Sequence, residues 1–134
     1  MTSPGPATTL QDELARLARA TPGLDLLILF GSHARGEAHP TSDWDLGYLA
    51  APKFDPAAFL GAVVERVASD RVDLVDLAQA GGLLRYRAAR DGVLLFEARP
   101  RAAEQFCLDA AQFWCDAGSI LEEGYRDVLA RLKP

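Results

Sequence analysis

Asp43 and Asp45 stand one residue apart in the run 29-LFGSHARGEAHPTSDWDL-46, and that spacing already carries chemistry. On a strand, residues i and i+2 point to the same face, so the two carboxylates converge. Alone, such a pair repels, pushes one pKa upward and costs free energy beside apolar neighbours. With Mg²⁺ it becomes favourable, because magnesium takes one or two carboxylates together with substrate phosphate oxygens and retained water. Gly31 and Ser32 supply the complement, with a gap of ten residues before Asp43. Gly31 follows an apolar run at a point where a ligand can approach the backbone with no Cβ in the way. Ser32 offers a hydroxyl and an N–H at the start of a short helical turn, where backbone donors favour an anion. Arg35 adds positive charge in the same loop, and Gly36 lets the loop turn. Donors and a cation on one side, with paired carboxylates on the other, suit a metal-bound triphosphate.

A third carboxylate on a neighbouring strand would complete a two-metal arrangement, and RVDLVDL at 71–77 offers Asp73 and Asp76. Their odd separation puts them on opposite faces, so only one can serve. Asp73, in mid-strand, is preferred as third metal ligand or proton acceptor; Asp76 is the alternative. His33 and His39 flank the motif without a partner His or Cys at ligand spacing, and read as solvated loop residues. Arg85, Arg87 and Arg90 could reach substrate or a partner protein, but a solvated basic helix face is the default for such a cluster.

The elements that must hold these residues follow from the hydrophobic pattern. TTLQDELARLARATPG has Leu10, Leu14 and Leu17 on one stripe, acids early and arginines late, which predicts a helix. LDLLILF at 24–30 is a nearly continuous apolar run, expected to be a strand buried on both faces. SDWDLGYLA at 42–50 alternates, with Asp43, Asp45 and Gly47 on one side and Trp44, Leu46 and Tyr48 on the other. Trp44 therefore reads as core packing. Asp55-Pro56 opens a helix with a favoured N-cap and first-turn residue, whose stripe is Phe59, Leu60, Val63, Val64 and Val67. A third strand at 71–77, a short helix through GLLRYRAARDG, an edge-like strand at 93–98 and a helical tail from Arg101 complete the chain. The tail is expected to bend near Gly118 or Gly124. Its large side chains, Phe106, Phe113, Trp114, Ile120, Leu121, Tyr125, Leu129 and Leu132, are expected to cover the sheet or face a partner. The order helix, strand, strand, helix, strand, helix, strand, helix predicts an α/β (α+β) arrangement: a mixed sheet of about four strands with helices packed on it.

The 134 residues carry 14 basic and 19 acidic side chains, for a net charge of −5. That balance argues against a protein whose main work is gripping duplex DNA. The charge is uneven: acids dominate from Thr41 to Asp76, and five arginines gather between Gly81 and Arg101. No apolar run reaches the ~20 residues needed to span a bilayer. Residues 1–8 have neither the basic nor the apolar region of a signal peptide and read as a flexible tail, with 9–134 as a single domain. Cys107 and Cys115 lack zinc-ligand neighbours, so free thiols in a reducing cytoplasm are expected.

The combination of Gly-Ser, the ten-residue gap, Asp-x-Asp and a further Asp on a later strand resembles the signature of polymerase-β-like nucleotidyltransferases. With the ARG after Ser32 and VDLVDL…LLRYRAARDGVLLFE, the chain more narrowly resembles the minimal nucleotidyltransferase (MNT) antitoxins of HEPN/MNT toxin-antitoxin pairs. The likeness covers roughly residues 10 to 97; Trp44 replaces the family's more usual aliphatic residue. The resemblance implies the polymerase-β palm-like fold, with Asp43, Asp45 and Asp73 holding two Mg²⁺ ions. Gly31, Ser32 and Arg35 would hold the triphosphate of ATP. It also implies transfer of AMP to a hydroxyl, a tyrosine, of a small helical HEPN-type toxin encoded nearby. Two other readings stay open: an antitoxin that acts by binding alone, and a transferase acting on a small-molecule hydroxyl. The chain has little room for an acceptor-binding domain of its own, which favours a protein acceptor.

Overall fold

The computed structural model of the chain describes residues 9–36 and 42–112. His39, Cys115, the glycines at 118 and 124 and the apolar residues from Phe113 onward lie outside them. Helix α1 (Leu10–Arg19) begins where the sequence says it should. Thr9 Oγ1 accepts the Asp12 N–H at 3.0 Å, and the Asp12 carboxylate accepts the Thr9 N–H at 3.4 Å. Such a reciprocal cap contributes about 1 kcal/mol. Its inner face is fixed by Leu14 and Ala18, both fully buried.

Strand β1 (Leu24–Phe30) is buried along almost its whole length, as its uninterrupted apolar run requires. It lies between β2 (Trp44–Ala50) and β4 (Val93–Glu97), antiparallel to both, while β3 (Val72–Asp76) runs parallel to β2. The sheet order is β3-β2-β1-β4, so the expected mixed sheet is found and β4 is an edge. Between β1 and β2 the chain makes a one-turn helix α2 (Ser32–Arg35). The parallel pairing of β2 and β3 needs a crossover, supplied by α3 (Pro56–Val67). Asp55 caps α3 by accepting the Ala58 N–H at 3.2 Å. Helix α4 (Gly82–Asp91) then carries the chain from β3 to the opposite edge, and α5 occupies 102–112.

Helices cover both faces of the sheet. On one, Leu27, Leu29, Trp44, Leu46 and Tyr48 pack with Leu14 of α1 and with Phe59 and Val63 of α3. On the other, Leu26, Ile28, Phe30 and Leu77 pack with Ala88 of α4 and Phe106 of α5. Of the stripe expected on α3, Phe59, Val63 and Val67 are buried, and Leu60 and Val64 only partly so. Among the described residues no helix is long and apolar enough to cross a membrane.

Candidate functional site

β1 ends at Phe30, and its antiparallel register sets Phe30 opposite Asp45. The parallel register of β2 with β3 sets Asp45 opposite Asp73. Directly paired residues on neighbouring strands share a face, so Asp45 and Asp73 stand side by side on the face that α4 covers. Asp76, an odd step further on, is opposite Tyr48. Its carboxylate accepts the Ala78 N–H at 2.9 Å, closing the turn after β3. The structure thus brings Asp73, and not Asp76, to Asp45.

Gly31 continues directly from β1 with φ 79° and ψ −158°, a conformation open to glycine and strained for other residues. A Cβ there would overlap Asp45 Oδ2 and lie 3.1 Å from Asp45 Cγ. Glycine at this position is therefore the condition for the carboxylate to sit where it does. Ser32 opens α2, whose turn is closed by the Ala34 N–H on the Gly31 carbonyl at 3.1 Å. Gly36 ends it in the left-handed region with φ 72°. Arg35 is the last residue of α2; its side chain lies outside the described residues.

Asp43 sits just ahead of β2, which begins at Trp44 and not, as the alternation suggested, at Ser42. Its side chain is 61% exposed and lies 3.5 Å from Arg71 Nη1. Among the described residues no three His, Cys, Asp or Glu side chains form a metal-holding group. The carboxylates still act on one another. Asp45 is held above the usual carboxylate range, first by burial, then by Asp73 and then by Asp43; Arg87 and His33 pull in the opposite direction. Hard oxygen donors that repel one another are the donor set a divalent magnesium ion suits. The glycine cradle against Asp45 leaves its carboxylate unobstructed by side chain on the β1 side. The donor chemistry of Asp45 and Asp73 suits such an ion, with no third ligand gathered among the described residues.

Two expectations are corrected here. His33 is not a solvated loop residue: it belongs to α2, and its ring stacks on Trp44 with centroids 3.7 Å apart and planes 14° from parallel. Its Nε2 is 3.4 Å from the Ser42 carbonyl. Trp44 is buried, as expected of its face, and its ring also braces the turn that carries Ser32. The α4 arginines are not a solvated face either. Nε of Arg85 and Nε of Arg87 are both buried without a hydrogen bond; Arg85 lies over the Phe106 ring at 5.4 Å. Arg87 acts on Asp45. Its signal was the helical spacing, since Leu84, Arg87 and Ala88 at i, i+3 and i+4 share one stripe. A cleft of about 230 Å³ between α1 and α3, lined by Thr21, Lys53 and Phe59, lies at the other end of the sheet from these carboxylates.

The family model described as polymerase beta, nucleotidyltransferase matches residues 12–101. The chain belongs to that family. It is similar to the protein adenylyltransferase MntA of Aphanizomenon flos-aquae, at 32% identity over 101 residues, covering 66% of this chain and 67% of the relative. Its fold is similar to a crystal structure of a toxin-antitoxin with AMP-PNP, with a TM-score of 0.71 and 28% identity over 89% of this chain and 98% of the other. It is also similar to a structure of the tri-AMPylated Shewanella oneidensis HEPN toxin in complex with MNT antitoxin. There the TM-score is 0.65 and the identity 26%, over 90% of this chain and 96% of the other.

Proposed function

We propose that this chain is a protein adenylyltransferase and an antitoxin, transferring AMP from ATP to a tyrosine hydroxyl of a HEPN-type toxin in the cytoplasm. The observation that carries the reading is the in-register pair of Asp45 and Asp73 with Gly31 against Asp45. The likeness to the complex with an AMPylated toxin supplies the acceptor class.

In this reading Asp43, Asp45 and Asp73 hold Mg²⁺, with two ions expected. When bound, the ions neutralise the carboxylates and the charge on the phosphates. Gly31 and Ser32 receive the triphosphate at the start of α2, with Arg35 in the same turn. Gly31 does so because its missing Cβ leaves room, and Ser32 through its hydroxyl and N–H. Asp73, exposed on the edge strand β3, orients the acceptor and takes its proton. The acceptor oxygen forms a bond to the α-phosphorus, and the bond from that phosphorus to the bridging oxygen breaks. Pyrophosphate leaves with the electron pair. Positioning and charge supply nearly all of the rate in such a displacement.

The test is intact-mass spectrometry of the toxin after incubation with the chain, ATP and Mg²⁺. A toxin mass raised by whole AMP units, absent with Asp45→Asn, is expected. An unmodified toxin that is nevertheless neutralised with EDTA present would replace the reading with one of binding alone. Turnover of a small-molecule hydroxyl without the toxin would replace the protein acceptor.

A further inference from the structure

Arg87 lies on the stripe of α4 that faces the sheet, and its placement is not explained by packing. Ala88 beside it is 1% exposed, and with Leu84 it packs on Leu26, Ile28 and Phe30 of β1. That is the face that carries Asp45 and Asp73. Arg87 follows Leu84 by three residues, so its stem leaves α4 on the sheet side. Its Nε is buried and makes no hydrogen bond, and among the described residues no salt bridge fixes its guanidinium. Its charge nevertheless reaches the Asp45 carboxylate. Burying a guanidinium N–H without an acceptor costs free energy, and a leucine would cover β1 at no such cost. A cation held there, unsaturated, beside an acidic centre, has one obvious use: an anion that arrives with its own counterions.

We propose that Arg87 is a substrate-contacting residue of the transfer site, its guanidinium receiving phosphate oxygens of the bound nucleotide on the α4 side of Asp45. The triphosphate is then held from two directions. Gly31 and Ser32 approach it from the end of β1, and Arg87 approaches from the helix over the sheet. Asp45 lies between them. The planar fork of arginine matches two phosphate oxygens at once, which a lysine ammonium cannot do. Arg85, two residues earlier, differs in kind: its guanidinium is spent over the Phe106 ring.

The inference rests on the transferase reading, and its test is chosen so that the two can fail separately. Binding of α,β-methylene-ATP with Mg²⁺ is measured for the full chain and for Arg87→Ala, Arg87→Lys and Arg85→Ala, with thermal melting of each. The expected result is binding at least tenfold weaker in Arg87→Ala, only partly restored in Arg87→Lys and unchanged in Arg85→Ala. Wild-type affinity in Arg87→Ala would overturn the proposal. Full restoration by lysine would overturn it too, since a simple counterion to Asp45 needs charge and not a fork. Should Arg87→Ala fail to fold, the lysine variant decides alone by the same criterion. Toxin labelling by the wild-type chain is read separately, so loss of the acceptor assignment leaves the nucleotide contact standing, and the reverse.

Discussion

Gly31→Ala tests the architecture of the site more sharply than removal of any charged group. Two costs add at this position. The backbone at φ 79° and ψ −158° is nearly closed to L residues, and holding alanine there costs about 1–3 kcal/mol. The new Cβ would also overlap Asp45 Oδ2, with Cγ at 3.1 Å and Cβ at 3.4 Å. Restoring ordinary contact requires the carboxylate to move by roughly 1 Å or leave its rotamer, at a further ~1 kcal/mol. The expected loss of stability is therefore about 2–4 kcal/mol. A displacement of that size at a reacting centre lowers the rate roughly 100-fold. Gly36→Ala is the control. It also has positive φ, at 72°, but nothing among the described residues lies within 4 Å of its would-be Cβ. It should lose only about 1–2 kcal/mol, the cost of the left-handed region, and keep transfer within a few-fold of wild type. Chemical denaturation gives the stabilities, and labelling of the toxin from ATP gives the rates. The reasoning fails if Gly31→Ala costs no more stability than Gly36→Ala and transfers AMP at the wild-type rate.

Other substitutions probe the same centre from different sides. Asp45→Asn should abolish transfer, yet raise the melting temperature of the metal-free protein at neutral pH, because it removes a partly buried charge repelled by Asp73 and Asp43. The sign follows from linkage: Asp45 is raised above its usual 3.8, so its contribution to stability falls as pH rises through that raised value. The advantage of asparagine should therefore vanish in melts run at acidic pH, where the wild-type carboxyl is protonated. Asp73→Ala should lower transfer at least 100-fold, whereas Asp76→Ala should cost about 1 kcal/mol of stability through the lost acceptor for Ala78 N–H and leave transfer within a few-fold. Added Mg²⁺ should raise the melting temperature of the wild-type chain and do so much less for Asp45→Asn; equal shifts would remove Asp45 from the ion site.

The parts of the fold that local pattern dictates were legible. The apolar run 24–30 became the central strand, the alternation from Trp44 put Asp45 and Leu46 on opposite faces, and Asp55-Pro56 started a helix. The preference for Asp73 over Asp76 was legible only in part, because the facing of each residue within β3 is local while its register with β2 is not. That register depends on where the α3 crossover delivers the strand, and no residue pattern near Asp73 announces it. The His33–Trp44 stack was hidden for a similar reason. The two rings are distant along the chain, and their meeting depends on the tight turn after Gly31. Arg87 is not legible from the charge of the α4 arginines taken as one face. Read against the helical period, it shares the stripe of Leu84 and Ala88 and points at the sheet.

The centre is best understood from what the polypeptide loses by having it. A leucine in place of Asp45 would extend the apolar layer beside Phe30 and remove the repulsion from Asp73. Arg87 and His33 offset the burial and that repulsion only in part, since Asp45 stays raised despite both. Gly31 gives up backbone restriction, Asp45 gives up solvation, and Arg87 buries an N–H with no acceptor. Each is a local loss in the unliganded chain, and all of them lie at one end of one sheet. In the proposed function a metal-bound nucleotide would relieve them together: the carboxylates would hold the ion, Arg87 and the N–H groups of the turn would receive phosphates, and the space beside Gly31 would be filled. On that reading the stability these residues give up in isolation would be returned on binding, and the energetic defects of the free protein would point to the ligand that removes them.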